Sequence, residues 1–182
     1  EIGSNTTTGI ARAVVTNGTH AYVTDSGGTP GLRIYDISDP TNPTETGFNS
    51  IPGGTNLGLA VVGNTAYVCS DGVITIDVTN PAPSTLGFEF ISGAPREIAI
   101  DGSTAYVAAQ GGGLAIVDVS NPAAPSELIT LPTATNANDV AVRDGLAYLC
   151  TSDDFIILDV SNPALPTELG SIFVGNICVG VH

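Results

Sequence analysis

Short apolar runs broken by glycine, proline and aspartate succeed one another along the chain, and the same order returns four times. The plainest run reads GLRIYDISDPTNP at residues 31–43, GVITIDVTNPAP at 72–83, GLAIVDVSNPAAP at 113–125 and DFIILDVSNPALP at 154–166. Its aspartates, Asp36, Asp77, Asp118 and Asp159, lie 41 residues apart at every step. A recurrence that regular marks a repeat architecture. The unbroken apolar stretches 114–117 and 155–158 predict a strand covered on both faces. The prolines behind each aspartate end that strand and preset a corner.

Ahead of each such run lies a second recurring piece, at residues 11–24, 57–70, 96–109 and 138–151. Each is two apolar strands around a two-residue turn: Gly18-Thr19, Gly63-Asn64, Gly102-Ser103 and Asp144-Gly145. Gly-x suits a type II′ turn and Asp-Gly a type I′ turn, the two that match strand twist in a hairpin. A fourth apolar piece follows each corner, as at 85–91 and 127–131. The repeating unit is therefore four antiparallel strands, A to D. Four strands in about 41 residues is the size of a β-propeller blade; a β-sandwich would not require so constant a period. The expected fold is all-β, with propeller blades at 11–52, 53–92, 93–132 and 133–174. Residues 1–10 read as the D strand of a preceding blade, since Glu1-Ile2-Gly3-Ser4 echoes Glu168-Leu169-Gly170-Ser171. Residues 175–182 read as the A strand of a following one. Unpaired strand edges invite association, so the chain is expected either to be a piece of a longer propeller or to pair its edges with other protein chains, a homo-polymer included.

The sequence IVDVSNPAAP behind a glycine-rich loop, with Ala-Tyr-Val on the strand before it, resembles the LVIVD-repeat family of bacterial and archaeal β-propellers. The resemblance covers residues 11–174. It implies an exported or cell-surface protein, often with such propellers embedded in longer chains, and it supplies no agreed catalytic residues. Tyr35 and Thr75 depart from it at core positions of strand C, as does the shortened corner NPAP.

Composition agrees with a folded β domain: 42% of residues are hydrophobic, with 22 Gly and 12 Pro for turns and no Trp. Charge is one-sided, with 18 acidic residues against four arginines and a net charge of −14. Such a surface repels nucleic acid and anionic lipid and attracts cations or basic partners. No apolar run approaches the ~18 residues of a membrane-spanning helix, which argues against direct membrane insertion.

Topology sorts the candidate chemistry. In an up-and-down blade the B-to-C and D-to-A connections share one rim, which places Asp25, Asp71, Asp153 and Asp154 there with Glu97 and Asp139. A ring of carboxylates at a channel mouth can hold Ca²⁺ through oxygen ligands; the competing reading is a solvated acidic rim. Asp36, Asp77, Asp118 and Asp159 each stand two residues before a Ser or Thr, the spacing that fixes a turn through side-chain bonds to backbone N–H groups. Counting outward from the Asp144-Gly145 turn pairs Asp139 with Cys150, and Cys178 falls one blade beyond Asp139. Cys150 and Cys178 thus approach each other across adjoining blades, as a disulfide or as small buried side chains. Asn5 and Asn17 head Asn-x-Thr sequons open to glycosylation. No nucleophile elbow, phosphate loop or haem motif appears. The expected function is a non-enzymatic extracellular or cell-surface structural or interaction module, of the kind that a filament, sheath or surface layer would contain. The rival expectations are an enzyme or cofactor-binding propeller whose active residues lie outside this stretch, and a calcium-stabilised adhesin.

Overall fold

In a computed structural model, residues 4, 9–53, 58–79, 82–175, 178, 180 and 181 are described. They form sixteen β-strands and, among the described residues, no helix. The strands fall into four antiparallel sheets of four, each paired in chain order. The first sheet holds β1 (Ile10–Asn17), β2 (His20–Ser26), β3 (Gly31–Asp36) and β4 (Thr44–Ser50). The second holds β5 (Leu59–Val62), β6 (Thr65–Cys69), β7 (Gly72–Asp77) and β8 (Ser84–Phe90). The third is β9 (Ala94–Asp101), β10 (Thr104–Gln110), β11 (Gly113–Asp118) and β12 (Ser126–Leu131). The fourth is β13 (Ala137–Arg143), β14 (Leu146–Thr151), β15 (Asp154–Asp159) and β16 (Thr167–Phe173). The sheets are propeller-type blades stacked side by side, and the stack does not close into a ring.

The A-to-B turns hold the expected registers: Asn17 opposes His20, Val62 opposes Thr65, Asp101 opposes Thr104 and Arg143 opposes Leu146. Gly102 has φ 57° with no atom near its missing Cβ, so local backbone conformation alone selects glycine there. Asp144 and Gly145 both have positive φ, 54° and 75°, as a type I′ turn demands.

Alternation along each strand sends side chains to the two faces of a blade, and each interior face meets the next blade. Tyr22, Leu32 and Ile34 of the first blade bury against Leu59, Ala66, Val68 and Ile76 of the second. Tyr67, Cys69 and Val73 of the second meet Ile98, Ala105, Val107, Ala115 and Val117 of the third. Tyr106, Ala108, Leu114 and Ile116 of the third meet Val140, Ala147, Leu149 and Leu158 of the fourth. Three separate cores thus repeat one pattern, in which a Tyr on strand B and one or two residues on strand C lie under small and aliphatic side chains of the next blade. At ~1.5–3 kcal/mol for each large apolar side chain buried, these contacts hold blades that are too thin to be stable alone.

The proline corners bind neighbours as well. Asn49 on β4 donates through Nδ2 to the Pro83 carbonyl (3.1 Å), and the Thr75 hydroxyl donates to the Pro122 carbonyl (2.5 Å). A Cβ on Gly87 of β8 would lie 2.6 Å from that Pro122 oxygen and 2.7 Å from Pro125 Cδ. Residues 1–3, 5–8, 176, 177, 179 and 182, where most of the two expected terminal strands would run, lie outside the described residues. Ser4, Gly9, Cys178, Gly180 and Val181 are described and belong to no strand, and Ile10 opens β1.

Candidate functional site

The four recurring aspartates close the C-to-D corners. Oδ1 of Asp36, Asp77, Asp118 and Asp159 accepts the backbone N–H two residues on, from Ser38, Thr79, Ser120 and Ser161, at 2.8, 2.9, 2.8 and 2.9 Å. At Asp36, Asp77 and Asp159 the hydroxyl of that residue is the stronger influence and its N–H the second; at Asp118 the Ser120 N–H leads. In all four the carboxyl is held below the usual carboxylate range. Asp39 does the same one turn later, with Thr41.

The rim carboxylates do not gather. Among the described residues no three of His, Cys, Asp or Glu converge to hold a metal ion. Asp25 is fully buried: Oδ1 accepts the Gly31 N–H (3.1 Å) and Oδ2 the Arg33 Nε–H (2.7 Å). Asp139 is buried and accepts the backbone N–H groups of Val140 (2.8 Å) and Val181 (2.6 Å). Glu97 accepts the N–H of Ile98 (3.2 Å), whereas Asp153, in the loop before β15, and Asp154, which opens that strand, are half-buried and their N–H groups donate to the Thr151 hydroxyl. Asp71 remains exposed. Of the carboxylates expected to form a calcium ring, Asp25, Glu97 and Asp139 instead accept from backbone donors and, at Asp25, from one arginine.

That arginine was not singled out as a site residue. Arg33 lies on β3, on the face away from the second blade, where the other blades carry Ile74, Ala115 and Ile156. Its Nη1 sits 3.2 Å from both oxygens of Glu45, its guanidinium lies 4.4 Å from the Phe48 ring centroid, and the Tyr35 hydroxyl donates to Glu45 Oε2 (3.3 Å). Burial pulls the Arg33 pKa down, but the bonds and charges of Asp25 and Glu45 outweigh it and leave the guanidinium above its ordinary value. Burial, with the charge of Glu45 added, pushes the Tyr35 phenol up. The signal in the sequence was a lone cation inside GLRIYD, a strand buried on both faces, which obliges a carboxylate partner nearby.

Cys150 and Cys178 are joined by a disulfide with Cα atoms 5.2 Å apart. Asn138 Nδ2 also donates to the Cys178 carbonyl (3.2 Å). Cys69 is a free thiol, buried in the second core, and burial together with the nearby Glu97 charge pushes it well up. Asn17 ends β1 exposed beside its turn, and Asn5 lies outside the described residues. The remaining feature is the outer face of the fourth blade. Tyr148, Phe155 and Ile157 stand where Tyr106, Leu114 and Ile116 stand one blade earlier, yet they are only half-buried. Tyr148 and Phe155 stack at 6.3 Å, and Ile172 beside them is 62% exposed.

A model of the LVIVD repeat matches residues 8–48, 53–90, 92–133 and 134–173. The chain belongs to the LVIVD-repeat family. Among curated proteins none matches it. Among solved structures, this LVIVD chain is similar to the computationally designed Ika8 protein, at 12% identity and a TM-score of 0.74, over 93% of this chain and 51% of that one. It is also similar to a functionally unknown protein from Desulfotomaculum acetoxidans DSM 771, at 15% identity and a TM-score of 0.77, over 91% of this chain and 56% of that one. A third, the computationally designed Ika4 protein, aligns at 13% identity with a TM-score of 0.56, over 70% of this chain and 78% of that one. These likenesses carry the fold alone. The LVIVD chain spans about half the length of the first two.

Proposed function

We propose that this LVIVD chain is a non-enzymatic interaction module working outside the cell or at its surface, where its open blade faces and edges engage other protein chains. The observation that carries this reading is the half-uncovered Tyr148, Phe155 and Ile157 face, because a contiguous apolar surface of this kind marks a protein contact. The Cys150–Cys178 disulfide favours an oxidising compartment. A net charge of −14 without lysine keeps such a module soluble and away from nucleic acid.

The test is photo-crosslinking in the cells that make the protein. A benzophenone amino acid is placed at Phe155, at Val14 on the outer face of the first blade, or at the exposed turn residue Arg143. Protein adducts concentrated at Phe155 and Val14 are expected. Adducts no more frequent there than at Arg143, or a small-molecule adduct instead of a protein one, would overturn the reading.

A further inference from the structure

We propose that the hollow between the third and fourth blades binds a linear diamine, a short methylene chain with an ammonium group at each end. This goes beyond the interaction module and stands without it, because both walls of the hollow are inner faces of this chain's own blades. The hollow has a volume of about 250 Å³. Leu114 and Leu131 of the third blade form one wall and Ile156 and Leu158 of β15 the other, with Asp154 and Glu168 completing the lining. Apolar walls with a few placed charges are the usual make-up of a small-molecule site.

The order of side chains along β15 sets the ligand. Asp154, Ile156 and Leu158 alternate onto one face of the strand, and Glu168 of β16 stands opposite Leu158. The hollow therefore runs from a carboxylate, over aliphatic side chains, to a second carboxylate based about 13 Å further along the strand. Among the described residues neither carboxylate takes a hydrogen bond or an ion pair. The bonds of Asp154 are made by its backbone N–H and carbonyl, both with the Thr151 hydroxyl. An ammonium at each end, held by a charge-assisted bond of ~2.8 Å, with about five methylenes lying against the leucines, matches that order. A monoamine satisfies one end only, and a neutral diol leaves both charges unpaired.

The repeat supplies its own comparison. At the place of Asp154 the other blades carry Gly31, Gly72 and Gly113, where a Cβ would strike a strand D carbonyl. The fourth blade puts a carboxylate there that no contact among the described residues uses. A hollow of about 360 Å³ lies at the equivalent position between the first and second blades, bounded by Ile51 of the first and by Ile74 and Thr85 of the second. There Gly72 stands in place of Asp154, and Thr85, opposite Ile76, in place of Glu168. The shape recurs without a charge at each end; the acid in its described lining is Asp71.

The test is isothermal titration calorimetry of the oxidised full chain with 1,5-diaminopentane, at an ionic strength of ~0.15 M to screen general attraction to the net charge of −14. One saturable site is expected, with 1-aminopentane about tenfold weaker or worse and 1,5-pentanediol giving no binding heat. Asp154→Asn and Glu168→Gln, which keep side-chain size and break no bond that holds the fold, should each weaken the diamine about tenfold or more. Asp71→Asn, in the first hollow, should leave it unchanged. No saturable site, equal binding of 1-aminopentane and the diamine, or a loss on Asp71→Asn as large as that on Asp154→Asn would overturn the proposal. None of these results bears on the crosslinks expected at Phe155 and Val14, so the two readings fail separately.

Discussion

At the scale of single residues, the sharpest feature is the charge cluster on the outer face of the first blade. Asp25 is a carboxylate with no exposure, held by the Gly31 N–H and by Arg33. Removing one partner of such a pair costs more than the pair contributes, because the other charge stays buried. Arg33→Ala is expected to destabilise the fold by about 3–5 kcal/mol in urea unfolding. The double change Arg33→Ala with Asp25→Ala should recover part of that loss, since Glu45 keeps a side chain 35% exposed to water; a double variant less stable than Arg33→Ala would contradict the account. The corner aspartates act through pH. Their folded-state values are depressed, so their contribution is complete above the unfolded value near pH 4 and is lost as pH falls through the lower folded values. The urea midpoint of the wild type, measured against a variant with Asn at 36, 77, 118 and 159, should hold a constant lead from pH 7 to 5 and lose it progressively below pH 4. A lead independent of pH would show that these carboxylates are not ionically engaged.

At the scale of elements, the sequence was legible wherever backbone conformation or periodicity dictated the residue. Gly102 and the pair Asp144-Gly145 announced their turns because positive φ admits few other residues, and Leu114 to Val117 announced a central strand because both its faces are covered. Gly102→Ala, with space for the methyl but φ 57°, should therefore cost about 1 kcal/mol from backbone strain alone, read as a lowered urea midpoint with an unchanged slope. A neutral substitution would place the turn in another conformation. Side-chain direction was less legible. Topology put Asp25 on a rim with Asp71, yet one points into Arg33 and the other into solvent. A one-residue step along a strand reverses the face, and counting strands does not fix where each strand ends. The glycines opening strand C had a cause that lies beyond their own turn: a Cβ on Gly31, Gly72 or Gly113 would strike the carbonyl of Asn49, Glu89 or Leu131 on strand D. Asp154 fills that place in the fourth blade, and nothing in the structure explains the exchange.

At the scale of the whole molecule, the chain is a one-dimensional stack in which each blade is stabilised by its successor. The fourth blade has no successor among the described residues, and it is the blade whose strand C is half-buried throughout most of its length and whose β16 is exposed at every position. Hydrogen exchange read by mass spectrometry on the native, oxidised chain tests this order most directly. Amides of β6, β7, β10 and β11 should exchange slowest, those of β15 measurably faster than those of the equivalent β11, and those of β16 fastest within the fourth blade. Protection of β15 equal to that of β11 would mean that this face is already covered, and the account of outer faces shielded by the succeeding blade would be contradicted.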